Sequence, residues 1–273
     1  MQKSFLACLF ILILASACGG DAGIPDAEDP GLVSWNKDPY NVVFRADVQG
    51  GNLDEFIAQN DVPLCTIYGD GRIVWEVDSA EGRSQVLFSY LNDTEMTNFV
   101  MSMVVDQKIY TQTAGANLEV PSKEQPVYEL LEINVNDQAH KADSFSGWTS
   151  EYFEGILDYC RNYASAPQIF EPTGGWLETR QIAYDPRLPT VFWDNEAAGL
   201  NLGDFASTDE KRWIEGDNVR ILWNQLRTIS QDVQFDNSFE NFNIALQIPG
   251  VTLNAPPAPA AGSTPNAEVE NDG

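Results

Sequence analysis

The chain has 273 residues, of which 41 are Asp or Glu and 15 are Lys or Arg, so its net charge at pH 7 is −26. Contacts from Lys and Arg to phosphate dominate nucleic-acid binding, and basic segments attract anionic lipid surfaces. This composition therefore argues against a nucleic-acid partner and disfavours direct docking on an anionic membrane. The acidic excess is typical of a protein that stays soluble outside the cell.

The first 17 residues predict a signal peptide. Lys3 supplies a short basic region, residues 5–14 are an almost unbroken apolar run, and Ala15-Ser16-Ala17 is a small-residue cleavage signal. The apolar run is shorter than the roughly 20 residues that a transmembrane helix needs. Residues 1–17 are therefore expected to be removed.

Cys18 follows the cleavage signal. The stretch LASACGG, residues 14–20, resembles the lipobox of bacterial lipoproteins, with Ala15 where that family usually has leucine. The resemblance implies that the Cys18 thiol receives a diacylglyceryl group and anchors the mature chain to the extracytoplasmic face of a cell membrane. Two or more acyl chains, at about 0.8 kcal/mol per buried methylene, give stable anchoring. The alternative is a plain secreted protein with an odd cysteine at its start.

Composition divides the mature chain into two tails and a folded part. Residues 18–32 are small, acidic and proline-bearing, which predicts a flexible linker. Residues 254–273 have too little apolar surface to offset their ordering entropy, which predicts a disordered tail. The folded part is expected as an α+β unit over residues 33–166 and an αβ unit over residues 167–253.

The stretch CTIYGDGRIVWE, residues 65–76, carries the strongest turn signal. Asp70-Gly71 between two alternating runs predicts a type I′ hairpin, with a positive φ at both residues. That turn would place Tyr68 opposite Ile73. A lone Asp between glycines supplies one carboxylate, far fewer ligands than a metal ion needs.

The rest of the first unit predicts strands that flank two helices. Asn92 and Glu95 have the spacing of a capping box, and apolar residues then recur at helical spacing. Thr149 or Ser150 begins the second helix. The predicted strands cover residues 41–48, 84–90, 127–135 and 139–145, and Asn136-Asp137 makes the turn between the last two.

Two cysteines remain in the folded part, since Cys8 leaves with the signal peptide and Cys18 is the lipid candidate. Cys65 lies on a predicted strand, and Cys160 lies on the apolar side of the second predicted helix. Disulfides persist outside the cytoplasm, and a bridge that closes a long loop contributes about 2–4 kcal/mol. The sequence leaves open either a Cys65–Cys160 bridge or two separate buried thiols.

The second unit predicts short strands over residues 179–184 and 189–193, a helix that begins at Asp217, and a closing strand over residues 239–248. Strands in runs with a few helices predict an α+β architecture. We expect a mainly antiparallel sheet with helices packed on one face. An arrangement as two αβ units is also open.

A second resemblance rests on the YGDG turn, the helix from Asp93 and the strands around Ile133 and His140. Together they resemble a group of uncharacterised bacterial secreted lipoproteins, over roughly residues 42–148. That group has no established activity, so the resemblance implies no reaction, cofactor or site residue.

The sequence contains no recognised catalytic or metal-binding motif. His140 is the only histidine, which argues against a zinc site. The chain has no nucleophile elbow, P-loop or dinucleotide-binding fingerprint. We therefore predict no catalytic residue, no metal and no cofactor.

Four of the seven tryptophans fall near predicted turns and loop edges: Trp148, Trp176, Trp193 and Trp213. Exposed indole rings can serve as binding platforms, and the competing interpretation is that they cap small cores. We expect a non-catalytic binding or interaction module of the cell envelope, whose partner is an envelope protein or a glycan. The alternative is a carbohydrate-active enzyme or carbohydrate binder, in which these rings converge with carboxylates in a single cleft.

Overall fold

The computed structural model describes residues 33–51, 54–78, 83–115, 126–206, 210–229 and 232–260. The predicted signal peptide, Cys18 and the linker up to residue 32 lie outside these ranges, as do residues 261–273 of the predicted tail. Among the described residues, no helix is both long and apolar enough to cross a membrane.

The described chain forms two sheets and five α-helices. The strands are β1 Val42–Gln49, β2 Cys65–Tyr68, β3 Arg72–Asp78, β4 Ser84–Tyr90, β5 Tyr128–Val135, β6 Gln138–Asp143, β7 Gln168–Ile169, β8 Gly174–Ile182, β9 Thr190–Phe192, β10 Arg212–Glu215, β11 Gln234–Asp236 and β12 Asn241–Gln247. The helices are α1 Asp93–Met101, α2 Ser150–Arg161, α3 Asn195–Ala198, α4 Gly203–Ala206 and α5 Asp217–Thr228.

The sheets are mainly antiparallel. The larger sheet has the order β6-β5-β1-β2-β3-β4-β7, and the smaller has the order β10-β8-β12-β11-β9. Only the β9–β11 pair is parallel within the described chain. The predicted α+β class is confirmed.

Helices α1 and α2 cover one face of the seven-stranded sheet. The capping box predicted at Asn92 and Glu95 is confirmed, since each side chain bonds the other residue's backbone N–H. The buried side of α1 carries Phe99, whose ring meets Phe44 of β1 edge-on at 5.1 Å. This packing forms a first apolar cluster, which includes Ile67, Ile73 and Trp75 from the central strands.

Cys65 of β2 and Cys160 of α2 form a disulfide, with their Cα atoms 6.4 Å apart. Both residues are fully buried within the first cluster. Of the two arrangements that the sequence left open, the structure contains the bridge. It joins the centre of the sheet covalently to the helix that covers it.

The opposite face of the seven-stranded sheet contributes to a second apolar cluster. Tyr68 and Val74 from this face join Trp223 of α5 and Phe242 of the five-stranded sheet. The residues of the two predicted αβ units therefore share a core. The described residues, which lie between Val33 and Ala260, belong to one compact unit.

Arg227 of α5 forms polar contacts with both β3 and the segment that precedes β2. Its guanidinium is buried, pairs with Glu76 of β3 (Nη1 to Oε1, 2.9 Å) and donates to the carbonyl oxygen of Asn60. The Asn60 amide in turn bonds both the carbonyl of Ile244 and the N–H of Leu246 on β12. A chain of polar contacts thus links β3, α5 and β12.

The β2–β3 hairpin corrects the predicted register. Ile67, not Tyr68, lies opposite Ile73. Gly71 has φ +83°, whereas Asp70 does not have a positive φ, and the N–H of Gly71 donates to the Tyr68 carbonyl at 3.0 Å. The turn is therefore a three-residue loop with a left-handed glycine at its end, because the two-residue type I′ turn requires a positive φ at both positions.

The corrected register changes which side chains share a face. A shift by one residue moves one strand's side chains to the other face relative to its partner. Ile73 and Trp75 consequently lie with Cys65 in the first cluster, and Val74 lies with Tyr68 in the second.

Candidate functional site

The four predicted platform tryptophans occupy three separate places. Trp193 is 4% exposed, donates to the Leu200 carbonyl at 2.9 Å and packs against Phe235, so it belongs to the second cluster. It follows β9, which forms one edge of the five-stranded sheet. This position removes Trp193 from any exposed surface.

Trp176 of β8 and Trp213 of β10 lie side by side, with ring centroids 5.4 Å apart. They are near the opposite edge of that sheet, since β10 and β9 are its two outer strands. Trp148 lies just before α2 and packs against the first cluster. The structure therefore brings Trp176 and Trp213 together and separates both from Trp148 and Trp193.

Trp148 lines an open cleft of about 300 Å³. The cleft lies where the end of β1, the start of β5 and the start of α2 meet. Its described lining consists of Val48, Val127, Tyr128, Glu129, Ser144, Trp148 and Ser150.

The central contact in the cleft joins Trp148 to Glu129. The indole Nε1 donates to Glu129 Oε2 at 2.6 Å. The other side of the indole meets Tyr152 of α2, with ring centroids 5.7 Å apart. Glu129 is itself placed by β5, and its backbone N–H donates to Ser144 Oγ at 3.3 Å. Glu129 is thus positioned by β5, and Trp148 is positioned by its contacts with Glu129 and Tyr152.

A short turn brings Trp148 to this position. Residues Ser144–Ser146 form one 3₁₀ turn, which begins with the Asp143 carboxylate accepting from the Phe145 N–H at 2.9 Å. Gly147 follows with φ +88°, a conformation that favours glycine. The turn leaves Phe145 about half exposed beside the cleft, where its ring lies 6.2 Å from that of Tyr128.

Burial and nearby carboxylates shift the pKa of Tyr128 in the same direction. Burial raises the pKa of the Tyr128 phenol, and the nearby carboxylates of Asp143 and Asp47 raise it further. Burial also raises the pKa of Asp47, against hydrogen bonds that lower it. The carboxylate that lines the cleft itself is that of Glu129.

This set of groups combines apolar surface with one carboxylate. Trp148, Phe145 and Val127 present apolar surface, and Glu129 presents a hydrogen-bond acceptor. Glycoside hydrolysis uses two carboxyl groups, about 5–9.5 Å apart, on either side of the scissile bond. The described lining of the cleft supplies one.

A second cleft, of about 310 Å³, lies at the start of α5. Its charged residues include Asp217 and Arg220, which form an ion pair with each other. The exposed aromatic surface of the Trp148 cleft has no counterpart in this second lining, where Ile221 and Pro172 are the apolar residues.

The remaining candidate groups do not assemble into a metal centre in the described part of the chain. His140 lies on β6, where its Nε2 is 3.1 Å from the Ile109 carbonyl and its ring is 4.8 Å from that of Tyr110. Among the residues described, no group of three or more His, Cys, Asp or Glu side chains could hold a metal ion.

Sequence reasoning selected Trp148 but missed Glu129, Tyr128 and Phe145. One signal was present: Glu129 is an acidic residue within the apolar strand VYELLEINV, residues 127–135. Its partner Trp148 is 19 residues away along the chain, so the pairing depends on how β5 and α2 are placed.

Comparison with protein-family models, with curated proteins and with solved structures found no match to this chain. The two resemblances to bacterial lipoproteins remain predictions from the sequence.

Proposed function

We propose that this chain is a lipid-anchored, extracytoplasmic binding module of the cell envelope without catalytic activity, and that its ligand occupies the Trp148 cleft. The observation that carries the proposal is the Trp148–Glu129 pair, held at 2.6 Å in an open cleft with exposed apolar surface beside it. The lipobox at Cys18 and the acidic linker after it support the anchoring.

A glycan is the ligand class that these groups suit best. An indole ring offers a flat surface on which the apolar face of a sugar can stack, and aromatic side chains are enriched at binding interfaces. Sugar hydroxyls can donate to the Glu129 carboxylate and exchange hydrogen bonds with Ser144 and Ser150. In this form the carbohydrate alternative uses Trp148 alone, since the four candidate tryptophans do not converge in one cleft.

An envelope protein is the second partner class. The exposed Val48, Val127 and Phe145 are 41%, 67% and 51% accessible, and they flank a carboxylate that could pair with a basic side chain. A protein partner would bury this apolar surface, whereas a small glycan would leave much of it exposed.

A glycan-array screen run beside a pull-down from envelope extracts tests the binding proposal. We expect one of the two to give a ligand whose affinity falls at least tenfold in Trp148→Ala and in Glu129→Gln. Phe239→Ala is the matched control, because it removes a 92% exposed aromatic ring from the turn between β11 and β12. A ligand that binds all four chains equally, or no ligand in either screen, contradicts the assignment of the cleft.

The anchor is tested by the intact mass of the protein from the membrane fraction. We expect a chain that begins at Cys18 and carries added acyl mass. A mature chain that begins at Cys18 with no added mass would rule out the lipid and leave the binding proposal standing by itself.

A further inference from the structure

The Trp176–Trp213 pair is an exposed aromatic surface that the proposed function does not use. The two residues are direct cross-strand partners on β8 and β10. Their rings meet edge to face, with an interplanar angle of 68°. Both rings are partly exposed.

Two neighbouring residues position the Trp213 ring of this pair. Gly174 lies under the Trp213 ring, where a Cβ atom would clash with the indole, so glycine makes room for the ring. The Trp213 Nε1 donates to Glu215 at 2.7 Å. Trp176 directs its own N–H to a different kind of partner.

That partner is the chain's own proline-rich segment Ala255–Pro259, with sequence APPAP. The Trp176 Nε1 donates to the carbonyl oxygen of Pro257 at 3.1 Å. Ordered contacts therefore continue past residue 253, where the sequence predicted that the disordered tail begins.

Two hydrogen bonds at Leu253 lead the chain to this position. The backbone N–H of Leu253 donates to the Asp61 carbonyl at 2.8 Å, and the side-chain amide of Gln247 donates to the Leu253 carbonyl at 3.1 Å. Asn254 then takes φ +54°, which redirects the chain towards Trp176. The segment is thus fixed just before its first proline.

The chemistry of this contact is that of proline recognition. Each proline fixes its own φ near about −65° and biases the preceding residue towards an extended conformation. Such segments form polyproline II helices, whose carbonyl groups point outwards without internal hydrogen bonds. Aromatic-lined grooves recognise them at a low entropic cost, because the peptide is already ordered.

We propose that the Trp176–Trp213 pair is a binding site for proline-rich segments and that residues 255–259 occupy it in cis. The tail acts as an intramolecular competitor, because a short tether gives it an effective concentration in the millimolar range. A proline-rich segment of another protein must displace this tail to bind. The proposal does not depend on the Trp148 cleft.

The test uses the full mature chain and a labelled peptide with the sequence of residues 254–260, NAPPAPA. In one variant, Pro256, Pro257 and Pro259 of the chain are all replaced by alanine, which weakens the resident competitor. We expect this variant to bind the peptide at least tenfold more tightly than the unaltered chain does. Thermal unfolding of both chains checks that the fold is retained.

Trp176→Phe, added to the triple variant, distinguishes specific recognition of the peptide from nonspecific hydrophobic binding. It keeps an aromatic ring and removes the donor, so peptide affinity should fall about fivefold, the value of one hydrogen bond. Trp35→Phe is the matched control, since it too removes an indole N–H that donates to a backbone carbonyl, here Gly69 at 3.2 Å. Peptide affinity should not change in that variant.

Three results would overturn the proposal. The first is equal peptide binding by the unaltered chain and the triple variant. The second is an affinity that Trp176→Phe leaves unchanged. The third is equal binding of a control peptide in which alanine replaces every proline.

Discussion

The two faces of the seven-stranded sheet are attached to the rest of the molecule by different chemistry. On the first face a disulfide joins Cys65 to Cys160 of α2. On the second face, Arg227 of α5 joins Glu76 and Asn60 through hydrogen bonds and a buried charge. A disulfide stabilises chiefly by restricting the unfolded chain. The polar link acts in the folded state and needs every partner in place.

The largest expected effect comes from removing the covalent attachment. Replacing Cys65 and Cys160 together by alanine should lower the free energy of unfolding by about 4 kcal/mol, because the bridge spans 95 residues of sequence. Urea unfolding measures the change. Reducing the unaltered protein should give a similar loss, and a loss below about 1 kcal/mol would mean that the unfolded chain is already restricted without the bridge.

Breaking the polar attachment should have the next largest effect. Arg227→Met leaves Glu76 and the Asn60 carbonyl without their partner and should cost about 3 kcal/mol, again measured by urea unfolding. Arg220→Met is the matched control on the same helix. Its ion pair with Asp217 is exposed, so the change should be within about 0.5 kcal/mol. Equal effects of the two substitutions would contradict a special role for Arg227.

The β2–β3 hairpin, whose register decides the face on which each side chain lies, is sensitive to substitution at Gly71. Gly71→Ala should cost about 2 kcal/mol, because φ is +83° and the added Cβ would clash with the Leu91 carbonyl. Gly155→Ala, in α2, provides the contrast. It has open space around its Cβ position and should stabilise the protein by up to about 1 kcal/mol. Thermal unfolding of both variants tests the difference in sign.

The smallest effect concerns the turn between β5 and β6. Asn136 and Asp137 have φ of 53° and 57°, the geometry of a type I′ turn. Since that turn favours glycine after asparagine, Asp137→Gly should stabilise by about 0.5 kcal/mol. A loss of stability in thermal unfolding would show that the Asp137 side chain contributes more than its strained backbone costs.

The sequence predicted most elements because their signals are local. The strand over residues 84–90 and the capped helix at Asn92 match the structure at their first residues. The short strand β10 was missed, since its four residues follow no turn signal strong enough to define it. The hairpin register was wrong because one dipeptide, Asp70-Gly71, fits two turn types, and contact with Leu91 decides between them.

The sequence predicted only part of the candidate site, because local signals reveal turns but not contacts between distant residues. Trp148 follows Gly147, a residue typical of turns, so its position near a turn could be predicted. Glu129 becomes its partner only because β5 packs beside the start of α2. The Pro257 carbonyl accepts a hydrogen bond from Trp176, which lies 81 residues earlier in the chain. Composition alone could not reveal that contact, because a proline-rich segment looks the same whether or not it is bound.

The amide of Asn60 takes the place of a neighbouring strand along part of β12. Strand β12 pairs with β11 only at Asn241 and Phe242, so its backbone beyond that point would present open donors and acceptors. Asn60 fills the positions at Ile244 and Leu246 with a single side chain. Open edges of this kind invite strand exchange and aggregation. One buried asparagine therefore satisfies two backbone groups that such an edge would leave open.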